Sequence, residues 1–126
     1  MNLFEFEGSH EEIGRAIGRT FGDQIGRTLA SNPELQNKFL PYHRTAAGQA
    51  HYQQLLALHE QAYPDYVAEL RGVAAGAEQP FEPLFIINLR GEYRGYAAED
   101  ELMGCSTCSL LTEQAAVLAH NEDGNP

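Results

Sequence analysis

The stretch of sequence that decides the fold is Gly104-Cys105-Ser106-Thr107-Cys108-Ser109. It opens the first of two short apolar segments, residues 105–110 and 115–119, which are separated by the polar residues 112–114. Two such segments around a polar break predict a β-hairpin that turns near residues 112–114. Pairing of the two strands would bring Cys105 close to residues 121–123. The sequence before this stretch has the pattern of successive helices.

The pair Gly104-Cys105 predicts a nucleophile that is released by self-cleavage. A thiol attacks only as the thiolate, so a working Cys needs a base or a positive field nearby. Because the pKa of an α-amino group lies near neutrality, a Cys at the start of a chain carries nucleophile and base in one residue. Gly104 suits the cleavage because it accepts strained backbone geometry and presents no side chain in front of its carbonyl. We therefore predict cleavage between Gly104 and Cys105.

Two other interpretations of the cysteines stay open. A buried, inert Cys is common in protein cores. Cys105 and Cys108 also have the Cys-x-x-Cys spacing of a redox or zinc half-site. A redox pair would follow a strand, whereas the poor strand-forming run Glu99-Asp100-Glu101 comes before Cys105, and zinc would need two further ligands. The sequence therefore predicts neither a metal nor another cofactor.

Composition and charge restrict the class of protein. The chain has 126 residues, of which 43% are hydrophobic, enough for one modest domain. Its formal net charge of -10 argues against nucleic acid or an anionic membrane surface as a partner. Two Cys and no signal peptide predict a reducing cytoplasm, and no apolar run has the length of a membrane span.

The first long helix is predicted from a capping box. Ser9 at the N-cap and Glu12 at N3 can exchange hydrogen bonds, and a helix should run from there to about Leu29. One face carries an apolar stripe of Ile13, Ile17, Phe21, Ile25 and Leu29. The neighbouring face carries Gly14, Gly18, Gly22 and Gly26, which cost about 1 kcal/mol each relative to Ala. We therefore expect another backbone to pack very close against this glycine face.

The other elements before the decisive stretch are short. Residues 2–7 alternate in part and predict a strand. Pro41 should interrupt the helix that comes first among the next four, and Pro64 should open the third at its N1 position. We interpret His43, His51 and His59 as exposed or hydrogen-bonded residues. These helices are predicted at residues 33–40, 46–62, 64–76 and 83–92, and an acidic loop is predicted at residues 96–103.

Five motifs in their order along the chain resemble one family. They are Gly8...Glu12-Ile13-Gly14...Gly18, Glu69-Leu70-Arg71-Gly72-Val73-Ala74-Ala75-Gly76-Ala77, Asn88-Leu89-Arg90-Gly91-Glu92, Gly104-Cys105-Ser106-Thr107 and Asn121-x-Asp123. Together they are similar to the acyl-coenzyme A:6-aminopenicillanic-acid acyltransferase (isopenicillin N acyltransferase) family. These are N-terminal-nucleophile enzymes, related more distantly to bile salt hydrolases, penicillin V acylases and acid ceramidase. The resemblance covers nearly the whole chain.

The resemblance implies a mechanism and a fold. Family proenzymes cleave themselves before the nucleophile, so Cys105 would act with its freed α-amine as base. Asp123 matches the Asp that holds this amine, and Asn121 matches an Asn of the same loop with a mainly structural role. The implied fold is α+β, with a mostly helical segment (residues 1–104, including the short N-terminal strand) followed by the first hairpin of an αββα sandwich (residues 105–126).

The resemblance also gives expectations for substrate and partners. It implies a cysteine amidohydrolase or acyltransferase that takes a small-molecule acyl amide or acyl donor, with Thr107, Arg90 and Glu92 as candidate substrate or processing contacts. His120 stands where the bile salt hydrolase branch carries an Arg, and Glu122 replaces an aromatic or apolar residue. Family members continue well beyond residue 126, so we expect a fragment whose partner is the rest of its own polypeptide. Open alternatives are a non-catalytic helical interaction module, an inactive truncated relative, and self-association through the glycine face.

Overall fold

Helices come first along the chain and a β-hairpin comes last. The structure is a computed structural model that describes residues 3–97, 106–112 and 116–121. A π-helical turn at Leu35–Phe39 runs directly into the second helix. The predicted α+β class, with a mostly helical segment before a hairpin, is therefore confirmed. The elements are α1 (His10–Ser31), α2 (Leu40–His43), α3 (Ala46–Ala62), α4 (Pro64–Gly76), α5 (Phe81–Asn88), α6 (Arg90–Ala97), β1 (Ser106–Leu111) and β2 (Ala116–Asn121).

The predicted capping box opens α1. The Ser9 backbone N–H donates to Glu12 Oε2 at 2.8 Å, and the Glu12 backbone N–H donates to Ser9 Oγ at 3.4 Å. The Ser9 backbone N–H and, after it, the Ser9 hydroxyl, which also donates to Glu12 Oε2 at 2.8 Å, lower the pKa of Glu12. The helix continues to Ser31, two residues beyond the predicted end, with non-helical backbone angles at Phe21.

The glycine face of α1 packs against α4, as predicted. A Cβ atom added at Gly14 would lie 2.0 Å from the carbonyl oxygen of Glu69. The contact is reciprocal, because a Cβ atom added at Gly72 of α4 would lie 2.2 Å from the carbonyl oxygen of Glu11. The two backbones therefore touch within the chain, and this close packing offsets the helix-propensity cost of the glycines.

The prediction that Pro41 interrupts a helix is wrong. The helical backbone passes through Pro41 and ends only at His43. Just before the proline the helix widens into the π turn, in which the Leu40 N–H donates to the Leu35 carbonyl, five residues back. A proline lacks an N–H and its ring crowds the carbonyl four residues back, so a wider turn at this point accommodates it.

The helices pack around a core of large side chains. Tyr93 contacts Phe39 edge to face, with ring centroids 5.9 Å apart, and Tyr52 contacts Phe85 in the same way at 5.6 Å. Such pairs add about 0.5–1.5 kcal/mol beyond the burial of their area. The apolar run of α5 is therefore central, as the sequence indicates. The most deeply buried side chains are Leu35, Phe39, Phe85, Ile86 and Tyr93.

The ends of the helical segment differ from two predictions. Leu3 to Glu7 form no strand; the Phe4 ring instead packs on Phe21 of α1, with centroids 5.2 Å apart, because no described strand lies beside it to supply a ladder. Tyr96 and Ala97, predicted as the start of a loop, belong to α6, and the rest of the predicted loop lies outside the described residues. In α6, Arg94 donates from Nε to Glu34 Oε1 at 2.6 Å and from Nη2 to Oε2 at 3.1 Å. This bidentate pair holds α6 against the chain before the π turn.

The predicted hairpin is present. β1 pairs antiparallel with β2, and Leu111 lies opposite Ala116 next to the turn. The strands are shifted by one or two residues from the predicted 105–110 and 115–119, and residues 113–115 of the turn lie outside the described residues. In the part of the chain that the structure describes, no helix is both long enough and apolar enough to span a membrane.

Candidate functional site

The open end of the hairpin carries the residues that the sequence analysis selected. The register places Ser106 opposite Asn121 and Thr107 opposite His120. The Thr107 hydroxyl and His120 Nδ1 are hydrogen-bonded at 2.8 Å, with the donor set by the tautomer of the imidazole. Two segments that are 13 residues apart in sequence are thus fixed side by side at this end.

Other predicted site residues lie outside the described residues. Gly104 and Cys105 come directly before β1, and Asp123 comes two residues after β2. Asn121 is the last residue of β2 and is known by its backbone position. The roles of these four residues therefore remain predictions, while the pairing of the strands that they adjoin is an observed feature.

Both faces of the hairpin are apolar and exposed. Side chains alternate between the faces of a strand, so Leu111 and Leu118 share the face of Thr107 and His120, while Val117 lies on the opposite face. Their exposed fractions are 83% for Leu111, 72% for Leu118 and 53% for Val117. A two-stranded hairpin with two apolar faces has little independent stability in water. This hairpin therefore has the character of a sheet element that further structure covers on both sides.

Arg90 and Glu92 stand at the start of α6. Both residues are exposed. Within the described residues they form no ion pair with each other. α6 itself packs on α5 and on the π turn. The structure thus leaves both side chains accessible for other contacts.

Cys108 lies on the hairpin face opposite Thr107. Its thiol is free and is exposed within the part of the chain that the structure describes. Within residues 3–97, 106–112 and 116–121, no group of three His, Cys, Asp or Glu side chains is placed to hold a metal ion. Cys105, the other member of the Cys-x-x-Cys spacing, lies outside the described residues.

Two of the three histidines near α2 and α3 have the predicted environment, and His43 does not. His51 Nδ1 is hydrogen-bonded to the Tyr42 hydroxyl, and His59 Nδ1 donates to the Leu55 carbonyl at 2.8 Å, so these two histidines are hydrogen-bonded as predicted. His43 differs, because its Nδ1 atom is buried and has no hydrogen-bond partner among the described residues. Burial lowers the pKa of His43. Nothing in the sequence around His43 indicates that its Nδ1 atom is buried.

The sequence of the chain was compared with those of known proteins. No family model matches the chain. The chain is 33% identical over 121 residues to the beta-alanyl-dopamine/carcinine hydrolase of Drosophila melanogaster, covering 92% of this chain and 31% of that protein. It is 28% identical over 121 residues to the acyl-coenzyme A:6-aminopenicillanic-acid-acyltransferase 40 kDa form of Emericella nidulans, covering 93% and 32%.

The similarity to both relatives is extensive along the chain. It runs over 92% of this chain for the first relative and 93% for the second. The chain spans about a third of the length of the curated relatives that it matches. The resemblance found in the sequence is thereby confirmed, since the chain is similar over more than nine tenths of its length to two proteins, one of which is an acyl-coenzyme A:6-aminopenicillanic-acid acyltransferase.

Proposed function

We propose that the protein is an N-terminal-nucleophile hydrolase or acyltransferase that acts on amide bonds. The names of the two relatives support this reaction class, because one is a hydrolase and the other an acyltransferase. Both named activities handle an acyl group and an amine, so an acyl amide or an acyl donor with an amine acceptor is the substrate class. The sequence similarity runs over more than nine tenths of the chain.

The observation that carries the proposal is the pairing at the open end of the hairpin. Ser106 lies opposite Asn121, Cys105 is bonded to Ser106, and Asp123 follows Asn121 by two residues. Consecutive Cα atoms are about 3.8 Å apart. Chain connectivity alone therefore keeps the proposed nucleophile and the proposed amine-holding carboxylate at the same end of one sheet.

Self-cleavage at this end would create the nucleophile. Cys105 Sγ attacks the carbonyl carbon of Gly104, the peptide C–N bond breaks, and the nitrogen of Cys105 takes up a proton. Water then hydrolyses the resulting thioester, which leaves a carboxylate on Gly104 and a free thiol and α-amine on Cys105. Both steps need only water as co-reactant. The absence of a side chain at Gly104 favours the attack.

Turnover would use the same sulfur atom. The α-amine of Cys105 takes the thiol proton, and Sγ attacks the amide carbonyl of the substrate. The departing amine takes that proton, and the acyl group stays on Cys105 as a thioester until water or another amine accepts it. In this proposal Asp123 holds the α-amine and Asn121 shapes the loop. His120, fixed by Thr107, offers a ring nitrogen to the polar end of the substrate.

The helical segment would serve as the scaffold of the proenzyme. We propose that residues 1–104 are the pro-segment and that residues 105–126 begin the catalytic sandwich. Two features support this division: the helices enclose their own core, and the hairpin exposes apolar side chains on both faces. The rest of the polypeptide, whose counterpart makes up about two thirds of the relatives, would cover the hairpin. A cytoplasmic location is part of the same proposal.

Intact mass spectrometry of the full-length gene product tests the proposal. Wild type should give two polypeptides, one of them ending at Gly104, and Cys105→Ala should give one uncut polypeptide without amidase activity. Cys108→Ala is the matched control, because it removes an exposed thiol three residues away and should cleave as wild type does. An uncut wild type, or turnover that survives Cys105→Ala, would contradict the proposal.

A non-catalytic interaction module is the second candidate. Its specific support is that the buried core extends from Leu29 to Tyr93, entirely within the helical segment. In that case the hairpin cysteines have no chemical role, and a thiol reagent would label the exposed Cys108 at least as fast as Cys105. Preferential labelling of Cys105 in the full-length protein would exclude this candidate, because a nucleophilic thiolate reacts faster than an ordinary thiol.

A further inference from the structure

A polar cavity lies where the second half of α1 faces the end of α4. Its volume is about 700 Å³, within the range of small-molecule sites. One wall is the second half of α1, from Arg19 to Arg27, and the other wall is the end of α4 with the link to α5, from Gly76 to Gln79. Among the described residues, none of the candidate substrate contacts Arg90, Glu92, Thr107 and His120 lines it.

The four charged side chains of this cavity are unpaired. Arg19, Asp23 and Arg27 follow one another at intervals of four residues on α1, a spacing that normally gives ion pairs along a helix. None of them forms an ion pair or a hydrogen bond with a described residue. The i,i+4 pair one turn earlier does form, since Arg15 Nη2 donates to Glu11 Oε1 at 2.8 Å. Glu78, on the opposite wall, is likewise unpaired within the described residues.

Local backbone conformation shapes both walls of the cavity. Phe21, between Arg19 and Asp23, has non-helical angles (φ -116°, ψ 15°), which interrupts the regular helix face at this point. Glu78 has φ 54°, the left-handed conformation that often follows the end of a helix, and the Gln79 N–H closes this end by donating to the Ala74 carbonyl oxygen at 3.0 Å. The turn that ends α4 thus places Glu78 on the wall opposite Phe21.

The last two residues of the glycine face border the cavity. A Cβ atom added at Gly22 would lie 3.3 Å from Ala77 Cα, and one added at Gly26 would lie 3.2 Å from Gln79 Nε2. Both distances are shorter than an ordinary van der Waals contact, although they are about 1 Å longer than those at Gly14 and Gly18. The two walls therefore approach each other closely at Gly22 and Gly26, and a side chain at either position would crowd the lining.

We propose that this cavity binds a small zwitterion that carries an oxyanion and an ammonium group. The lining holds two guanidinium groups and two carboxylates, so its formal charge is 2 - 2 = 0. A ligand with a single charge would meet two opposing side chains, whereas a zwitterion satisfies both kinds. Its carboxylate or phosphate would receive forked hydrogen bonds from Arg19 or Arg27, and its ammonium group would donate to Asp23 or Glu78. The proposal does not depend on the function proposed for Cys105.

The test is a calorimetric titration of the full-length protein with ω-amino acids of increasing length. Glycine, 4-aminobutyrate and 6-aminohexanoate vary the separation of the two charges, and butyrate and butylammonium each carry one charge alone. We expect one length to bind at least tenfold more tightly than either singly charged compound. Equal binding of butyrate would reduce the cavity to an anion site, and no binding by any of the amino acids would leave it a solvated surface; either result overturns the proposal.

Variants assign the binding to this cavity. Arg19→Gln, Arg27→Gln and Asp23→Asn each remove one charge at an exposed position and should each weaken binding of the preferred amino acid by about tenfold or more, because each removes a charge-assisted hydrogen bond. Arg44→Gln is the matched control, since Arg44 is exposed and lies outside the cavity. If Arg44→Gln weakens binding as much as Arg19→Gln and Arg27→Gln do, the effect is one of net charge and the proposal fails.

Discussion

Gly14 of α1 and Glu69 of α4 approach so closely that a methyl group on the glycine would lie 2.0 Å from the glutamate's carbonyl oxygen. At that distance the atoms overlap, so the two helices can adopt this separation only if the first residue has no side chain. The same constraint operates in the reverse direction at Gly72 and Gly76, whose added Cβ atoms would each lie 2.2 Å from a carbonyl oxygen of α1. These three glycines set the separation of the helices together with Gly18, whose added Cβ atom would lie 2.3 Å from the carbonyl oxygen of Val73.

The first prediction concerns this contact. Gly14→Ala should lower the free energy of unfolding by at least about 2 kcal/mol, because the added methyl group forces α1 away from α4. Gly95→Ala is the control, since nothing lies within 4 Å of a Cβ atom added there, and it should raise stability by about 0.5–1 kcal/mol. Urea denaturation of both variants measures the difference; equal effects would show that the close approach has no energetic weight.

The second prediction concerns the hydrogen bond between Thr107 and His120. Thr107→Val keeps the β-branched shape but removes the hydroxyl, and should slow the proposed self-cleavage about two- to tenfold, the equivalent of one hydrogen bond. Thr107→Ser keeps the hydroxyl and should retain most of the rate. Nitrogen chemical shifts of the His120 ring should change in the Val variant and stay nearly unchanged in the Ser variant. An unchanged ring in Thr107→Val would mean that Thr107 does not orient His120.

The third prediction concerns a buried hydroxyl. Tyr93 is fully buried, and its hydroxyl has no hydrogen-bond partner among the described residues. Tyr93→Phe removes an unsatisfied polar group and should leave stability unchanged or raise it by about 1 kcal/mol. Tyr42→Phe removes a hydroxyl that is bonded to His51, and should lower stability by about 1 kcal/mol. Thermal unfolding separates the two; a loss for Tyr93→Phe would reveal a hydrogen-bond partner outside residues 3–97, 106–112 and 116–121.

The fourth prediction concerns alkaline pH. Burial raises the pKa of both Tyr52 and Tyr93 to about 12, while a phenol in an unfolded chain ionises near pH 10. Below about pH 10 neither state loses the proton, so this stabilisation is fully present; between about pH 10 and 12 the unfolded state loses it first, and the free energy of unfolding falls. The slope is at most about 1.4 kcal/mol per pH unit for each phenol.

Tyr variants check this pH dependence. The Tyr52→Phe/Tyr93→Phe double variant should lose stability less steeply than wild type between about pH 10 and 12. Tyr66→Phe, at a residue that is 63% exposed, should retain the wild-type slope. Urea denaturation at several pH values gives the comparison, and equal slopes for wild type and the double variant would rule out these two phenols as the cause.

The elements with local sequence signals were predictable. The capping box at Ser9 and Glu12, the proline that opens α4 and the glycine face of α1 are all confirmed. Each is a signal in which a few neighbouring residues decide the backbone, so a single sequence contains the necessary information. The hairpin was predictable for the same reason, since two apolar runs around a polar break leave few other arrangements.

The errors arise where packing overrides a local rule. Proline usually ends a helix, but the π turn before Pro41 carries the backbone through it. Phe4 and its neighbours look like a strand, yet the contact with Phe21 of α1 replaces a partner strand. α6 was half missed because its polar face resembles a loop, while Tyr93 on its other face is buried in the core. For the site, the sequence predicted the bounds of the two strands to within two residues, and the pairing of Thr107 with His120 required the structure.

The position of the core along the chain has a consequence for the order of events in the cell. Its residues run from Leu29 to Tyr93, so every one of them is synthesised before Cys105. N-terminal parts of a chain generally fold first during translation, and a helical unit dominated by short-range contacts folds quickly. The helical segment can therefore fold while residue 105 is still inside the ribosome.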